Sequence, residues 1–217
     1  ALSAIYNISQ NSVCTNPSLY TSNWQLLGPV STPLQTMGRV DAVVMDPNNR
    51  SVVYAGTPMS GLWRTNDINA TTPLWQNITD NLRLPGLGIT DIVIDPANSD
   101  IIYIATGHGQ NIGNLIGNYG LGVLKTTNGT DNNPVWQFTS LSFDPFVNEI
   151  VSIRKLFMDL SDPNHQTLFA ITDREVYATK DGGGNWSSLK LQTNANNPSI
   201  SLTDIVLDPQ DPDILLV

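Results

Sequence analysis

A short apolar, β-branched run that ends at an aspartate begins four times along this chain, and that repetition limits its fold more than any other feature. The first copy opens at Gly38 and runs GRVDAVVMDPNNRSVVYAGTPMSGLWRTNDINATTPLWQNI to Ile78. The second opens at Gly88 with GITDIVIDPANSDIIYIATG and, after an insertion, resumes as GLGVLKTTNGTDNNPVWQFTSL. The third starts at Val151, and a fourth at Ser201 reads SLTDIVLDPQDPDILLV. The register aspartates are Asp46, Asp95, Asp159 and Asp208, at intervals of 49, 64 and 49 residues. One long interval among regular motifs is what loop insertions on a repeated scaffold produce.

Each copy holds four β-like runs. The first alternates toward the aspartate, as in Asp91-Ile92-Val93-Ile94-Asp95. The second is rich in Ile, Val and Tyr, as in Ile101–Thr106. The third is Gly61-Leu62-Trp63-Arg64-Thr65 or its counterpart, and the fourth carries Trp75, Trp136 or Trp186. Four short strands in a repeat of roughly 45 residues predict a propeller blade. No segment keeps a 3.6-residue apolar period, so helices should be few and short. The expected fold class is all-β: a β-propeller of four-stranded antiparallel blades, with about three complete blades and partial flanking ones. The blades should span roughly 38–80, 88–141, 151–191 and an incomplete 201–217. Residues 1–22 form an N-terminal segment, and 23–30 read as a fourth strand that closes a last blade.

Three blades and part of a fourth cannot close a ring, and an open fan exposes strand edges and apolar faces. The expectation is therefore that the polypeptide continues past Val217 or that a covering partner chain protects the edge.

Charge excludes several partners. Net charge is -9, only 10 residues are Lys or Arg, and no basic cluster exists. Nucleic acid is an unsuitable partner, and so is an anionic membrane surface. No apolar stretch is long enough to span a bilayer as a helix, so no membrane insertion is expected. Cys14 is the only cysteine, which rules out an internal disulfide and a Cys-based metal site. The two histidines, His108 and His165, are far apart in sequence and read as solvated loop residues; no metal and no cofactor is expected.

One segment points to a family. Thr179-Lys180-Asp181-Gly182-Gly183-Gly184-Asn185-Trp186 resembles the Asp box, S/T-x-D-x-G-x-T-W, with Asn185 in place of the threonine. Thr65-Asn66-Asp67 leading to Pro73-Leu74-Trp75, and Thr126-Thr127-Asn128 leading to Pro134-Val135-Trp136, are similar but stretched. Together with Trp24, Leu27, Gly28 and Pro29 and the G-R-V, D-P-N and S-G-L-W-R-T phrases, the chain resembles BNR/Asp-box and sortilin-like propellers. The likeness is greatest to large secreted Bacteroidetes proteins exported by type IX secretion. The resemblance implies a secreted or cell-surface location, the signal peptide already removed. It also implies that Thr179, Asp181, Gly183 and Trp186 are structural: a short acid can accept bonds from its own turn amides, and glycine supplies the positive φ.

Catalytic readings of the same resemblance meet obstacles. Xyloglucan-degrading propellers share this repeat style and place an acid after the second strand, in a T-D-x-G-G context. Here the stretch is Thr57-Pro58-Met59-Ser60-Gly61, and Pro58 cannot transfer a proton. Sialidases need an arginine cluster and a Tyr/Glu pair; Arg39, Arg64 and Arg154 match in number only. The catalytic residue set is therefore empty. The primary expectation is a non-catalytic module for adhesion or for carbohydrate or protein recognition, within a larger type IX cargo-like protein. The alternatives are a xyloglucanase- or sialidase-like hydrolase with its acids mostly elsewhere, and a sortilin-like peptide-binding or assembly-factor propeller. The insertion GHGQNIGNLIGNYG, from Gly107 to Gly120, offers His108, Asn111 and Tyr119 as candidate ligand contacts on a rim loop.

Overall fold

The computed structural model describes residues 38–84, 86–107, 120–142, 152–172, 174–190, 202–208 and 215–216. The chain divides into a unit of residues 1–37 and a unit of residues 38–217; everything below concerns the second. The strand expected at 23–30 lies outside the described residues.

Three four-stranded antiparallel sheets follow one another, each in simple sequence order. The first holds β1 (Ala42–Met45), β2 (Val53–Gly56), β3 (Leu62–Thr65) and β4 (Trp75–Asn77). The second holds β5 (Ile89–Ile94), β6 (Ile102–Thr106), β7 (Gly122–Thr126) and β8 (Trp136–Ser142). The third holds β9 (Lys155–Met158), β10 (Leu168–Ile171), β11 (Val176–Thr179) and β12 (Ser187–Ser188). A two-stranded piece, β13 (Val206–Leu207) with β14 (Leu215–Leu216), begins the fourth copy. The described helical structure is a 3-10 turn at Asp80–Leu82, and none of it is long and apolar enough to cross a membrane as a helix.

The second and third blades are apolar on both faces because each is packed between neighbours. Period-2 alternation decides which neighbour a residue meets. In the second blade Ile92, Ile94, Ile102, Ile104, Leu124 and Trp136 face the first blade, joining Tyr54, Leu62 and Ile78 in one core. Tyr103, Ala105 and Val123 face the other way, onto Leu156, Met158, Leu168 and Ala170 of the third. Ile171 and Val176 then meet Leu202 and Ile205 of the fourth copy. Burying one such Ile or Leu contributes about 1.5–3 kcal/mol, so the joints between blades hold most of the apolar stabilisation. Gly56 marks how closely they approach, since a Cβ there would lie 2.7 Å from Ile89 Cγ2.

Polar latches run alongside. In the first blade Arg64, on the face of Tyr54, is buried and donates to Gly129 O (2.7 Å) and Asp131 O (2.9 Å) in the next blade's β7–β8 hairpin. At the matching position of the second blade, Lys125 Nζ donates to Gly182 O at 3.0 Å, beside the Tyr103 hydroxyl, which donates to the same carbonyl at 3.1 Å. The Lys125 ammonium also sits 5.1 Å from the Tyr103 ring centre. Burial pushes the Tyr103 phenol up to about 12, with Asp95 and Asp181 acting in the same sense, so it remains a neutral donor. In the third blade the pair at this register is Phe169 and Ala178, which cannot form such a latch.

Next to these latches, at the same end of the strands, the strand-end aspartates act across blades. Asp46 Oδ1 accepts from Ser99 Oγ of the second blade at 2.6 Å and from its own Asn48 N at 2.8 Å. Asp95 Oδ1 pairs with His165 Nδ1 of the third blade at 2.6 Å. His165 was expected to be solvated; instead its side chain is 17% exposed, because its loop is pressed against the preceding blade's aspartate.

Candidate functional site

The loops between second and third strands, and those linking successive blades, share one rim. The β2–β3 hairpin shows how that rim is built. Thr57 N and Thr57 Oγ1 both donate to Gly61 O (3.1 and 2.9 Å), and Ser60 N donates back to Thr57 Oγ1 at 3.0 Å. Gly61 takes φ +73, and a Cβ there would fall 2.1 Å from Thr79 Oγ1, so both conformation and space require glycine. Ser60 O accepts from Trp63 Nε1 (3.0 Å) and Asn77 Nδ2 (2.6 Å). Thr79 Oγ1 accepts from Leu62 N at 3.0 Å and donates to Asn77 Oδ1 at 2.9 Å. Every polar group in this network is engaged in shaping the hairpin, and none is a carboxylate.

Beside the hairpin lies a cleft of about 460 Å³, walled by Met59, Ser60, Trp63 and Asn77 on one side and by Asp80 and Arg83 on the connection to β5. Asp80, Arg83, Met59 and Ser60 are exposed, and the Trp63 ring is half-buried. Arg83 adopts φ +51, which carries the chain round to Leu87, whose carbonyl accepts from Gly61 N at 2.8 Å. An indole flanked by one acid and one guanidinium can stack on a flat ligand face and bond to hydroxyls at its edge. It lacks the two placed carboxylates that glycosidic cleavage needs.

A second rim carboxylate, Asp91, lies at the start of the second blade. Its Oδ2 accepts from Leu156 N at 2.9 Å, its Oδ1 from Ile92 N at 3.0 Å, and Lys155 Nζ stands 3.5 Å away. Burial raises its pKa, opposed by the Leu156 amide and by Lys155. These contacts stitch the second blade to the third. Arg39 and Asp41 pair with each other at the head of the first blade.

The other sequence candidates fall in three places. His108, Asn111 and Tyr119 lie outside the described residues, as does most of the connection from 142 to 150. Arg64, counted among possible substrate-binding arginines, is buried in an inter-blade joint on the far side of the sheet from solvent. Thr179, Asp181, Gly183 and Trp186 occupy the β11–β12 hairpin, at the edge opposite the rim. There Asp181 Oδ1 accepts from Thr179 Oγ1 (2.7 Å) and Asn185 N (2.8 Å), and Oδ2 from Asn185 Nδ2 (2.7 Å). These bonds, led by those from Asn185, lower the Asp181 carboxyl to about 2. Asn128 repeats the arrangement in the second blade, its Oδ1 accepting from Thr126 Oγ1 at 2.9 Å and Val135 N at 2.8 Å. Among the described residues no group of three or more His, Cys, Asp or Glu side chains could hold a metal ion. The cleft and the Asp91 stitch were missed from sequence, since each joins side chains from separate connections whose approach depends on blade packing.

The comparisons with known proteins agree with this architecture. An ancestral GH74 enzyme superposes with a TM-score of 0.58 at 21% identity, over 88% of this chain and 22% of that one. A YCF48 protein from Cyanidioschyzon merolae gives 0.52 at 14% identity, over 82% of this chain and 49% of that one. The fold is a β-propeller. In sequence, a xyloglucanase from Hypocrea jecorina (strain QM6a) is 27% identical over 106 residues. That match covers 49% of this chain and 12% of the xyloglucanase, so the chain spans only a small part of this relative's length. No protein-family model matches.

Proposed function

We propose that this chain is a glycan-recognising portion of a BNR-type β-propeller, binding β-glucan chains of the xyloglucan class without cleaving them itself. The carrying observation is the rim cleft. It offers the Trp63 ring, Asp80 and Arg83 to a sugar, while the adjacent hairpin has Pro58 where a xyloglucanase-like pattern calls for an acid. The local likeness to a xyloglucanase supports the ligand class. Carboxylates for hydrolysis, in a protein of this type that turns over glycan, belong to other blades. Thr179, Asp181, Gly183 and Trp186 serve as joinery and not as ligand contacts. A polymeric glucan is met outside the cell, which supports a secreted or cell-surface location; the type IX cargo likeness supplies the export route.

The test is calorimetric titration of the chain with xyloglucan oligosaccharides, cello-oligosaccharides and sialyllactose, with a parallel assay for released reducing sugar. The expected result is binding of the glucans, lost in Trp63→Ala, with no sugar released. Failure of every glucan to bind, or turnover by the chain alone, overturns the proposal.

A further inference from the structure

The β7–β8 hairpin of the second blade carries the chain's one Asn-Gly pair, Asn128-Gly129. Such a pair is prone to deamidation, because glycine has no side chain to shield its backbone nitrogen and adopts the required backbone angles readily. In that reaction the Gly129 nitrogen loses its proton and attacks Asn128 Cγ. The new C–N bond closes a succinimide ring, the Cγ–Nδ2 bond breaks, and ammonia leaves. Water then opens the ring to an aspartate or an isoaspartate. The balance is water consumed and ammonia released, with no change of oxidation state.

The folded hairpin engages every reacting group. Gly129 N donates to Asp100 O at 2.9 Å. Asn128 Oδ1 accepts from Thr126 Oγ1 at 2.9 Å and Val135 N at 2.8 Å, and its Nδ2 donates to Asp131 Oδ2 at 2.8 Å. Gly129 is buried, and a Cβ on it would lie 2.4 Å from Ile102 Cδ1, so the peptide has little room to turn. The first blade adds an outer clasp. Arg64 Nη1 donates to Gly129 O and Asp131 O, Gln76 Nε2 to Asn132 O at 2.8 Å, and Asn81 Nδ2 to Pro134 O at 2.7 Å. Attack on Asn128 Cγ therefore waits until the hairpin lifts from the first blade.

The third blade shows what the product would disturb. There Asp181 Oδ2 accepts from Asn185 Nδ2, whereas in the second blade the roles are exchanged and Asn128 Nδ2 donates to Asp131 Oδ2. Each hairpin thus pairs an acid with an amide. Deamidation of Asn128 would remove the donor and set a second carboxylate against Asp131, a like-charge contact.

We propose that Asn128 is a modification site, deamidated when the joint between the first and second blades opens, and that the new carboxylate then hinders reclosure. None of Asn128, Gly129, Asp131 and Arg64 lines the rim cleft, so this inference and the glycan reading stand separately.

Peptide mass mapping and ammonia release, followed in mildly alkaline buffer on the full chain, test the site. In the native wild type, conversion at Asn128 should be at least about a hundredfold slower than in the same chain unfolded in guanidinium chloride, as for any reaction that awaits local opening. Arg64→Met, which loses two charge-assisted bonds, should speed the native reaction at least about tenfold. Gln76→Ala, at an exposed position where folding is secure, should speed it roughly twofold to tenfold, the worth of one neutral hydrogen bond. Near-ultraviolet circular dichroism checks that each variant is folded. Asn128→Asp, which mimics the product, should raise hydrogen exchange at the Gly129 amide about tenfold, the scale of a close like-charge pair. Adding Asp131→Asn, which recreates the acid–amide pair of the third blade, should restore protection. Native conversion as fast as in the unfolded chain overturns the proposal, and so does a rate that neither clasp variant changes. An Asn128→Asp chain as protected as the wild type overturns the hindered reclosure.

Discussion

Replacing Arg64 with methionine tests whether polar latches, and not only apolar burial, hold adjacent blades together. The guanidinium is 2% exposed and gives two short bonds to backbone carbonyls, Gly129 O and Asp131 O, with a longer one to Asn132 Oδ1 at 3.5 Å. A hydrogen bond from a charged donor contributes about 1.5–3 kcal/mol, so losing the two short ones costs roughly 3–6 kcal/mol. Methionine keeps the apolar stem packing and removes the burden of a buried charge, which offsets part of that loss. The expected net loss is about 2–4 kcal/mol. For a chain of this size that lowers the melting temperature by about 4–16 °C, at about 2–4 °C per kcal/mol. Urea unfolding measures the total. Hydrogen exchange at the Gly129 amide of the β7–β8 hairpin, which donates to Asp100 O in the β5–β6 turn at 2.9 Å, localises it. A total loss below about 1 kcal/mol, or a Gly129 amide as protected as in the wild type, would refute the latch.

Three further perturbations follow from the same geometry. Gly61→Ala places a methyl group on Thr79 Oγ1 at a φ of +73, and should destabilise by more than about 1 kcal/mol, with faster proteolysis in the β2–β3 hairpin as the local readout. Asp181 is held at about 2 by its hairpin bonds, below the unfolded value near 3.9. Its contribution is therefore present above about pH 4 and lost as pH falls toward 2; Asp181→Asn should flatten the acid limb of stability, and a carboxyl that titrates by NMR near its unfolded value contradicts the assignment. Asp91 has the opposite sign, because burial raises its pKa. Stability should decline as pH rises from the unfolded value through the folded one, and Asp91→Asn should remove that decline while leaving an oxygen to accept from Leu156 N.

Much of the fold was legible in the residues. Alternation in Asp91–Asp95, the β-branched run at Ile101–Thr106 and the recurring tryptophans mark the strands because side-chain period and β-propensity are local properties. The aspartates marked the register for the same reason: Asp46, Asp95 and Asp159 each accept from the amide two residues on, Asn48 N, Ala97 N and Ser161 N, at 2.8 Å. What these aspartates do across the joint was not legible. That His165 would meet Asp95, or Ser99 meet Asp46, depends on how one sheet is laid on the next, and partners 70 and 53 residues apart leave no local signal.

The cleft was hidden for a like reason. Trp63 read as a strand residue, Asp80 as the end of the first blade and Arg83 as the link to the second, and only the fold of the connection over the β2–β3 hairpin brings them together. By itself the sequence determined the repeat, the strand pattern, the acidic surface and the proline where an acid would serve hydrolysis, since each depends on residue type and spacing along the chain. The tertiary structure decided which face of each blade is covered and which cations are spent as latches. Those outcomes depend on the stacking of sheets, which joins residues that the chain keeps far apart.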